Sequence, residues 1–127
     1  MNLGFIKDGD YGILSFSGNM EKLSIVELKK GIDLVVEHAC SFMVVDLCRV
    51  THLSVSSLGL IFASKNRLED IGTLTAIVGP RRELNKLLSA DSMEKMVPLC
   101  ENIERAKIAL RKLAFEKKSK LRRRSWD

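Results

Sequence analysis

The sequence lacks several features that would place it in a large functional class. Its longest apolar stretches, such as FMVVDLC at residues 42–48, fall far short of the ~20 residues that a membrane-spanning helix needs. It contains neither a GxxxxGK[ST] nor a GxGxxG motif, so no phosphate-cradling loop is indicated. Nothing at the N-terminus resembles a signal peptide, because Lys7, Asp8 and Asp10 interrupt any apolar run. We therefore expect a soluble protein.

Residues that commonly carry catalysis or bind metals are also scarce. The three cysteines, Cys40, Cys48 and Cys100, are an odd number without a CxxC pair, which favours a reducing cytoplasm. The two histidines, His38 and His52, lack partners at the spacing of a catalytic triad. Cys48 and His52 would make a poor metal site, because no carboxylate or further thiol accompanies them. We expect no enzymatic activity, no metal and no cofactor.

The positive charge belongs mainly to the end of the chain. Residues 111–127 contain eight basic and two acidic residues, whereas the other 110 residues have a net charge of −1. We interpret residues 1–110 as one domain and residues 111–127 as a basic C-terminal helical extension or tail. The simplest role of the tail is a solvated helix end, but contact with nucleic acid or an anionic membrane through residues 117–124 stays open.

Hydrophobic periodicity and turn residues predict the element order β-β-α-β-α-β-α-β-α. Short, alternating strands and helices imply right-handed crossovers and a sheet that is parallel over its later strands. The fold class is therefore α/β: one domain with a mixed, mostly parallel sheet, an N-terminal hairpin and about four α-helices. The predicted strands are Phe5–Lys7, Gly12–Phe16, Phe42–Cys48, Thr73–Gly79 and a short edge strand near Pro98; the predicted helices are 24–39, 56–70, Arg82–Ala90 and one from Glu101 onwards.

Hydroxyl groups crowd the corner between the central strand and the helix that follows. Ser54, Ser56 and Ser57 surround Val55 there. One serine, Ser54 or Ser56, is expected to cap the helix by accepting a hydrogen bond from a free backbone N–H. A phosphate is also tolerated at a helix N-terminus, because the helix dipole favours negative charge. The corner therefore suits both capping and a phosphate-operated switch.

The segment MVVDLCRVTHLSVSSLGLIFASKNRLEDIGTLTAIVGP at residues 43–80 resembles the core of STAS domains, the fold of bacterial anti-sigma factor antagonists. The family pattern is an apolar strand ending in Asp-Leu, a short Val-Thr linker, and then D-S-S-G-L-G opening a helix. The likeness extends from the N-terminal hairpin to about residue 110. It implies a STAS-like fold and a non-enzymatic protein that binds a serine-kinase anti-sigma factor and is released when the first serine of D-S-S-G is phosphorylated.

The loop departs from that pattern at the phosphoacceptor. Without a gap, the aspartate of the family falls on Ser54, its acceptor serine on Val55 and its second serine on Ser56. Its glycine falls on Ser57 and its Leu-Gly pair on residues 58–59. A two-place shift would make Ser57 the acceptor, but it would spoil the Leu-Gly match. We prefer the ungapped version, in which valine removes the ordinary switch.

The resemblance therefore implies a regulatory protein-binding module that docks its partner without the usual phosphoserine switch. The loops at Asn19–Lys22 and Gly79–Arg82 are further candidate contacts. An alternative is a small STAS subunit of a membrane lipid-transport ATPase, which needs no phosphorylation. No small-molecule substrate is expected, and the oligomeric state stays open. The candidate partner-binding residues are Ser54, Val55, Ser56, Ser57, Leu58, Gly59 and Phe62, with Ser56 and Ser57 as substitute phosphorylation sites.

Overall fold

A computed structural model describes residues 2–87 and 97–125 of the chain. A single 3-10 turn at Met20–Lys22 lies between the second strand and the first helix. The strands are β1 (Asn2–Asp8), β2 (Tyr11–Asn19), β3 (Phe42–His52), β4 (Leu74–Val78) and β5 (Leu99–Cys100). The helices are α1 (Ile25–Glu37), α2 (Val55–Asp70), α3 (Arg81–Leu87) and α4 (Ile103–Ser125).

The five strands form one mixed sheet in the order β1-β2-β3-β4-β5. β1 and β2 are antiparallel, and every other neighbouring pair is parallel. The hairpin turns at Gly9, whose φ of 59° suits glycine. This arrangement confirms the predicted α/β fold with an opening hairpin, and it brings the carboxyl ends of β2, β3 and β4 to the same edge.

Local sequence chemistry sets several helix ends. Ser24 caps α1, because its hydroxyl accepts a hydrogen bond from the N–H of Glu27 at 3.1 Å. Gly72 follows α2 with a φ of 88°, the left-handed conformation typical of a helix stop. α3 begins at Arg81, one residue before the prediction; residues 88–90 of that predicted helix lie outside the described residues.

Two apolar layers cover the sheet. Helices α1, α2 and α3 pack on one face, where Met43, Val45 and Leu47 of β3 belong to the same buried cluster. α4 packs on the other face against a second cluster that contains Val44. The first part of β3, residues 42–47, is covered on both faces, as its nearly continuous apolar run predicts.

β3 is longer than predicted, because it continues past Cys48 to His52. The polar residues in that extension gave no strand signal in the sequence. The extension pairs with the last residues of β2, as far as Asn19 opposite His52. Asp46 lies within β3, and its carboxylate accepts a hydrogen bond from the N–H of Cys48 at 3.0 Å.

α4 is one continuous helix across position 110, where the sequence suggested that the domain body ends. Leu113 still packs against the sheet beyond that position. The helix is also tied to the hairpin through Tyr11, whose hydroxyl accepts a hydrogen bond from Nε of Arg111 at 2.7 Å. Among the described residues, every helix is either too short or too polar to cross a bilayer.

Candidate partner-binding site

The corner between β3 and α2 is closed by a serine cap. Ser54 has an extended backbone and lies just before the first helical residue, Val55. Its hydroxyl accepts a hydrogen bond from the N–H of Ser57 at 3.4 Å. Of the two serines that the sequence offered for this role, Ser54 therefore caps α2.

Ser57 connects the corner to the loop after β2. Its side chain is buried, and its hydroxyl donates a 2.8 Å hydrogen bond to the backbone carbonyl of Met20. Met20 is itself fully buried at the start of the 3-10 turn. The first turn of α2 and the β2–α1 loop are therefore held together by one buried hydrogen bond.

The solvent-facing part of the corner is a small surface that we name the α2 patch: Val55, Ser56 and Gly59. Val55 is the first residue of α2 and is 59% exposed. Ser56 and Gly59 are exposed beside it. Apart from its chain neighbours and the backbone of its own helix, no heavy atom lies within 4 Å of the position that a Cβ would take at Gly59. The patch is therefore open to a partner at a helix N-terminus.

The other candidate residues lie beneath the patch. Leu58 is fully buried and Phe62 is 7% exposed, and both belong to the cluster between α2 and the sheet. Together with Ser57, they have little surface to offer a partner in this structure, and they hold α2 in place instead. Their i, i+4 spacing is the pattern of a core-facing helix stripe, which is the feature of the sequence that predicts burial.

The two other predicted contact loops lie at the same edge of the sheet as the patch. The Asn19–Lys22 loop follows β2, and the amide oxygen of Asn19 accepts a hydrogen bond from the N–H of Glu21 at 3.0 Å. Gly79 follows β4 and donates its N–H to the carbonyl of Cys100 at 3.1 Å. Because β2, β3 and β4 are parallel, these loops and the α2 patch surround one end of the sheet.

The electrostatics of the patch favour an acidic group. The first turn of α2 contains no acidic residue, so its free N–H groups and dipole are not offset by a carboxylate. On β3, partial desolvation and the neighbouring Asp46 raise the pKa of the exposed Cys48 thiol, which favours its protonated form. In the described part of the chain, no three His, Cys, Asp or Glu side chains are grouped in a way that would hold a metal ion.

A groove of about 490 Å³ runs between α1 and α2, and sequence reasoning missed it. It is mainly apolar, with exposed Ile25 and Val36 on the α1 side and Ile71 at the end of α2. The signal in the sequence that could have indicated it is the set of apolar residues on α1 in excess of a single core-facing stripe.

Comparisons with known proteins identify the fold. The family model described as STAS domain matches residues 5–106. An anti-sigma factor antagonist from Mycobacterium paratuberculosis has a similar structure, with a TM-score of 0.71 at 22% identity over 87% of this chain and 93% of that one. A putative anti-sigma factor antagonist from Thermotoga maritima gives a TM-score of 0.67 at 20% identity, over 86% of this chain and 94% of that one.

The anti-sigma factor antagonist SpoIIAA, in its unphosphorylated form, has a TM-score of 0.67 at 13% identity, covering 87% of this chain and 96% of that one. No curated protein matches this chain. At these identities the structural likeness shows the shared fold, whereas the family model covers most of the sequence. The chain therefore belongs to the STAS domain family.

Proposed function

We propose that this protein is a non-enzymatic, cytoplasmic binding module of the anti-sigma factor antagonist kind. Its partner would be a serine-kinase anti-sigma factor, docked on the α2 patch with the Asn19–Lys22 and Gly79–Arg82 loops at the rim. The structures with this fold that are described above carry the antagonist role in their names, which supports the same class here.

The observation that carries the proposal is the exposure of Val55. An apolar side chain that is 59% exposed at a helix start leaves apolar area in water, and a docked partner would remove that area from water. Valine also has no hydroxyl, so a kinase partner cannot phosphorylate this position. The partner would therefore stay bound when the kinase has ATP.

The two substitute acceptors differ in access. The Ser57 hydroxyl is buried and donates to Met20, so phosphorylating it would require the corner to open. Ser56 is exposed and would be the first alternative acceptor. A phosphate there would add about −2 charge beside the helix N-terminus without breaking the fold.

Phosphate mapping tests the proposal. The full chain is incubated with a serine-kinase anti-sigma factor from the same organism and Mg-ATP, and modified residues are located by mass spectrometry. The wild-type protein is expected to bind without becoming phosphorylated at residues 54–57, and Val55→Ser is expected to gain a phosphate at residue 55. Stoichiometric phosphoserine in the wild-type corner would contradict the lost switch.

A small STAS subunit of a membrane lipid-transport ATPase is the second candidate function. The lack of a hydroxyl at Val55 fits it equally well, because such a subunit needs no phosphate switch. Purification of the chain with its native partners separates the two. A permease and its ATPase would support the second function, and a serine-kinase anti-sigma factor would support the first.

A further inference from the structure

α4 has two faces of different character. Its inner face is built from Ala106 and Leu110, both fully buried against the sheet. On its outer face Ile108 is 65% exposed and Phe115 is 72% exposed. These two residues are seven positions apart, which is two helical turns, so they lie on the same side about 10 Å apart along the axis. An apolar pair therefore faces outward on a helix that is already fully packed on its other side.

The same helix carries most of the positive charge of the protein. Residues 103–125 contain ten Lys or Arg and two Glu, a net charge of +8, while the rest of the chain is −3. Within residues 103–118, whose side chains the structure describes, Lys107 pairs with Asp8 and Lys117 pairs with Glu69. Among the side chains of α4 that the structure describes (residues 103–118), the exposed charged groups that form no ion pair are four cations, Arg105, Arg111, Lys112 and Lys118, and two carboxylates, Glu104 and Glu116.

Exposed apolar side chains flanked by unpaired cations are typical of helices that lie in the interface of an anionic bilayer. From this geometry we propose that the outer face of α4 binds an anionic membrane surface. Ile108 and Phe115 insert between the lipid headgroups, and Arg105, Lys112 and Lys118 contact the phosphates.

Other occupants fit the face less well. A second copy of the same face would bring two helices of +8 together, which opposes self-association through α4. Nucleic acid would satisfy the cations but would leave Ile108 and Phe115 without an apolar partner. An anionic bilayer offers phosphates for the cations and an apolar environment for Ile108 and Phe115.

The proposed membrane contact does not compete with the proposed protein partner. α4 covers the face of the sheet opposite α1, α2 and α3, while the α2 patch is part of α2. Both contacts are therefore available at once, and each is tested without the other.

Vesicle co-sedimentation of the full chain tests the inference. Phosphatidylcholine vesicles are used with and without phosphatidylglycerol, at low and high salt. We expect binding only to the anionic vesicles, with loss at high salt because the charges are exposed. Phe115→Ser is expected to lower vesicle affinity about tenfold, and Ile108→Ser combined with Phe115→Ser still further.

A matched control separates this face from general surface hydrophobicity. Val26 on α1 is 63% exposed, nearly the same exposed fraction as that of Ile108. Because Val26 is not part of α4, Val26→Ser should leave vesicle affinity unchanged. Circular dichroism of each variant confirms that the fold is intact.

Three results would overturn the inference. The first is equal binding to neutral vesicles, and the second is full vesicle affinity in the double variant. The third is duplex DNA binding tighter than vesicle binding and unaffected by the double variant, which would assign the face to nucleic acid.

Discussion

The hydroxyl of Ser57 donates a 2.8 Å hydrogen bond to the backbone carbonyl of Met20, across 37 residues of sequence and inside the protein. This bond positions the α2 patch relative to the loop after β2. In Ser57→Ala the Met20 carbonyl would stay buried without a donor, so we expect a loss of about 1–3 kcal/mol in the free energy of unfolding. Urea denaturation measures it.

Ser56→Ala is the control for that prediction, because Ser56 is exposed and its removal should change stability by less than about 0.5 kcal/mol. Equal effects of the two alanine substitutions would mean that the buried bond contributes nothing.

Val55→Asp should separate stability from binding. The first turn of α2 has no acidic residue, so a carboxylate there interacts favourably with the helix dipole and should raise the free energy of unfolding by about 0.3–1 kcal/mol. The same change replaces apolar contact area with a charge and should weaken partner binding. Denaturation and a binding titration on the same preparation measure the two effects. A variant that is less stable and binds normally would contradict both arguments.

Gly59→Ala tests whether the patch needs close backbone contact. The added Cβ meets no atom of another element within 4 Å, and alanine favours the helix, so we expect the free energy of unfolding to rise by about 0.5–1 kcal/mol. If the partner packs against the bare backbone, its affinity should fall in the same variant. Gly12→Ala is the contrast, because its Cβ would approach the Sγ of Cys40 at 3.1 Å and should destabilise the protein by about 1–3 kcal/mol.

Glu69 predicts a pH dependence. Hydrogen bonds from Lys117 of α4 and Lys65 of α2 lower the pKa of this carboxyl in the folded protein. The ionised Glu69 therefore stabilises the fold fully at pH values above the pKa that this carboxyl has in the unfolded chain. This stabilisation is lost as the pH falls through its lower pKa in the folded protein. Urea denaturation of wild type and Glu69→Gln at a series of pH values measures it.

Wild type should be more stable than Glu69→Gln near neutral pH, by about 0.5–1 kcal/mol for a partly exposed pair, and the difference should shrink in acid. A difference that stays constant from neutral to acidic pH would show that the ion pairs do not stabilise the fold.

Features fixed by neighbouring residues could be predicted from the sequence. The caps at Ser24 and Ser54 and the stop at Gly72 depend on hydrogen bonds or φ values set within a few residues. The burial of β3 on both faces could also be predicted, because a nearly continuous apolar run indicates a strand that is covered on both sides.

Features that depend on contacts between residues far apart in the sequence could not be predicted from it. The extension of β3 to His52 depends on pairing with β2, and the inward position of Ser57 depends on Met20, which is far away in sequence. The helical spacing of Phe62 predicts that it is buried. It was nevertheless named a candidate partner-binding residue because of the family resemblance. The sequence therefore predicted where the corner lies, and the structure showed which of its residues are exposed and which are buried.

The most direct measurement is a titration of the full chain with a serine-kinase anti-sigma factor of the same organism, with and without Mg-ATP. We expect wild type to bind equally tightly in both conditions, Val55→Asp to bind more weakly, and Val55→Ser to be released when ATP is present. Release of wild type by ATP, or undiminished binding of Val55→Asp, would contradict a phosphate-independent docking surface at the start of α2.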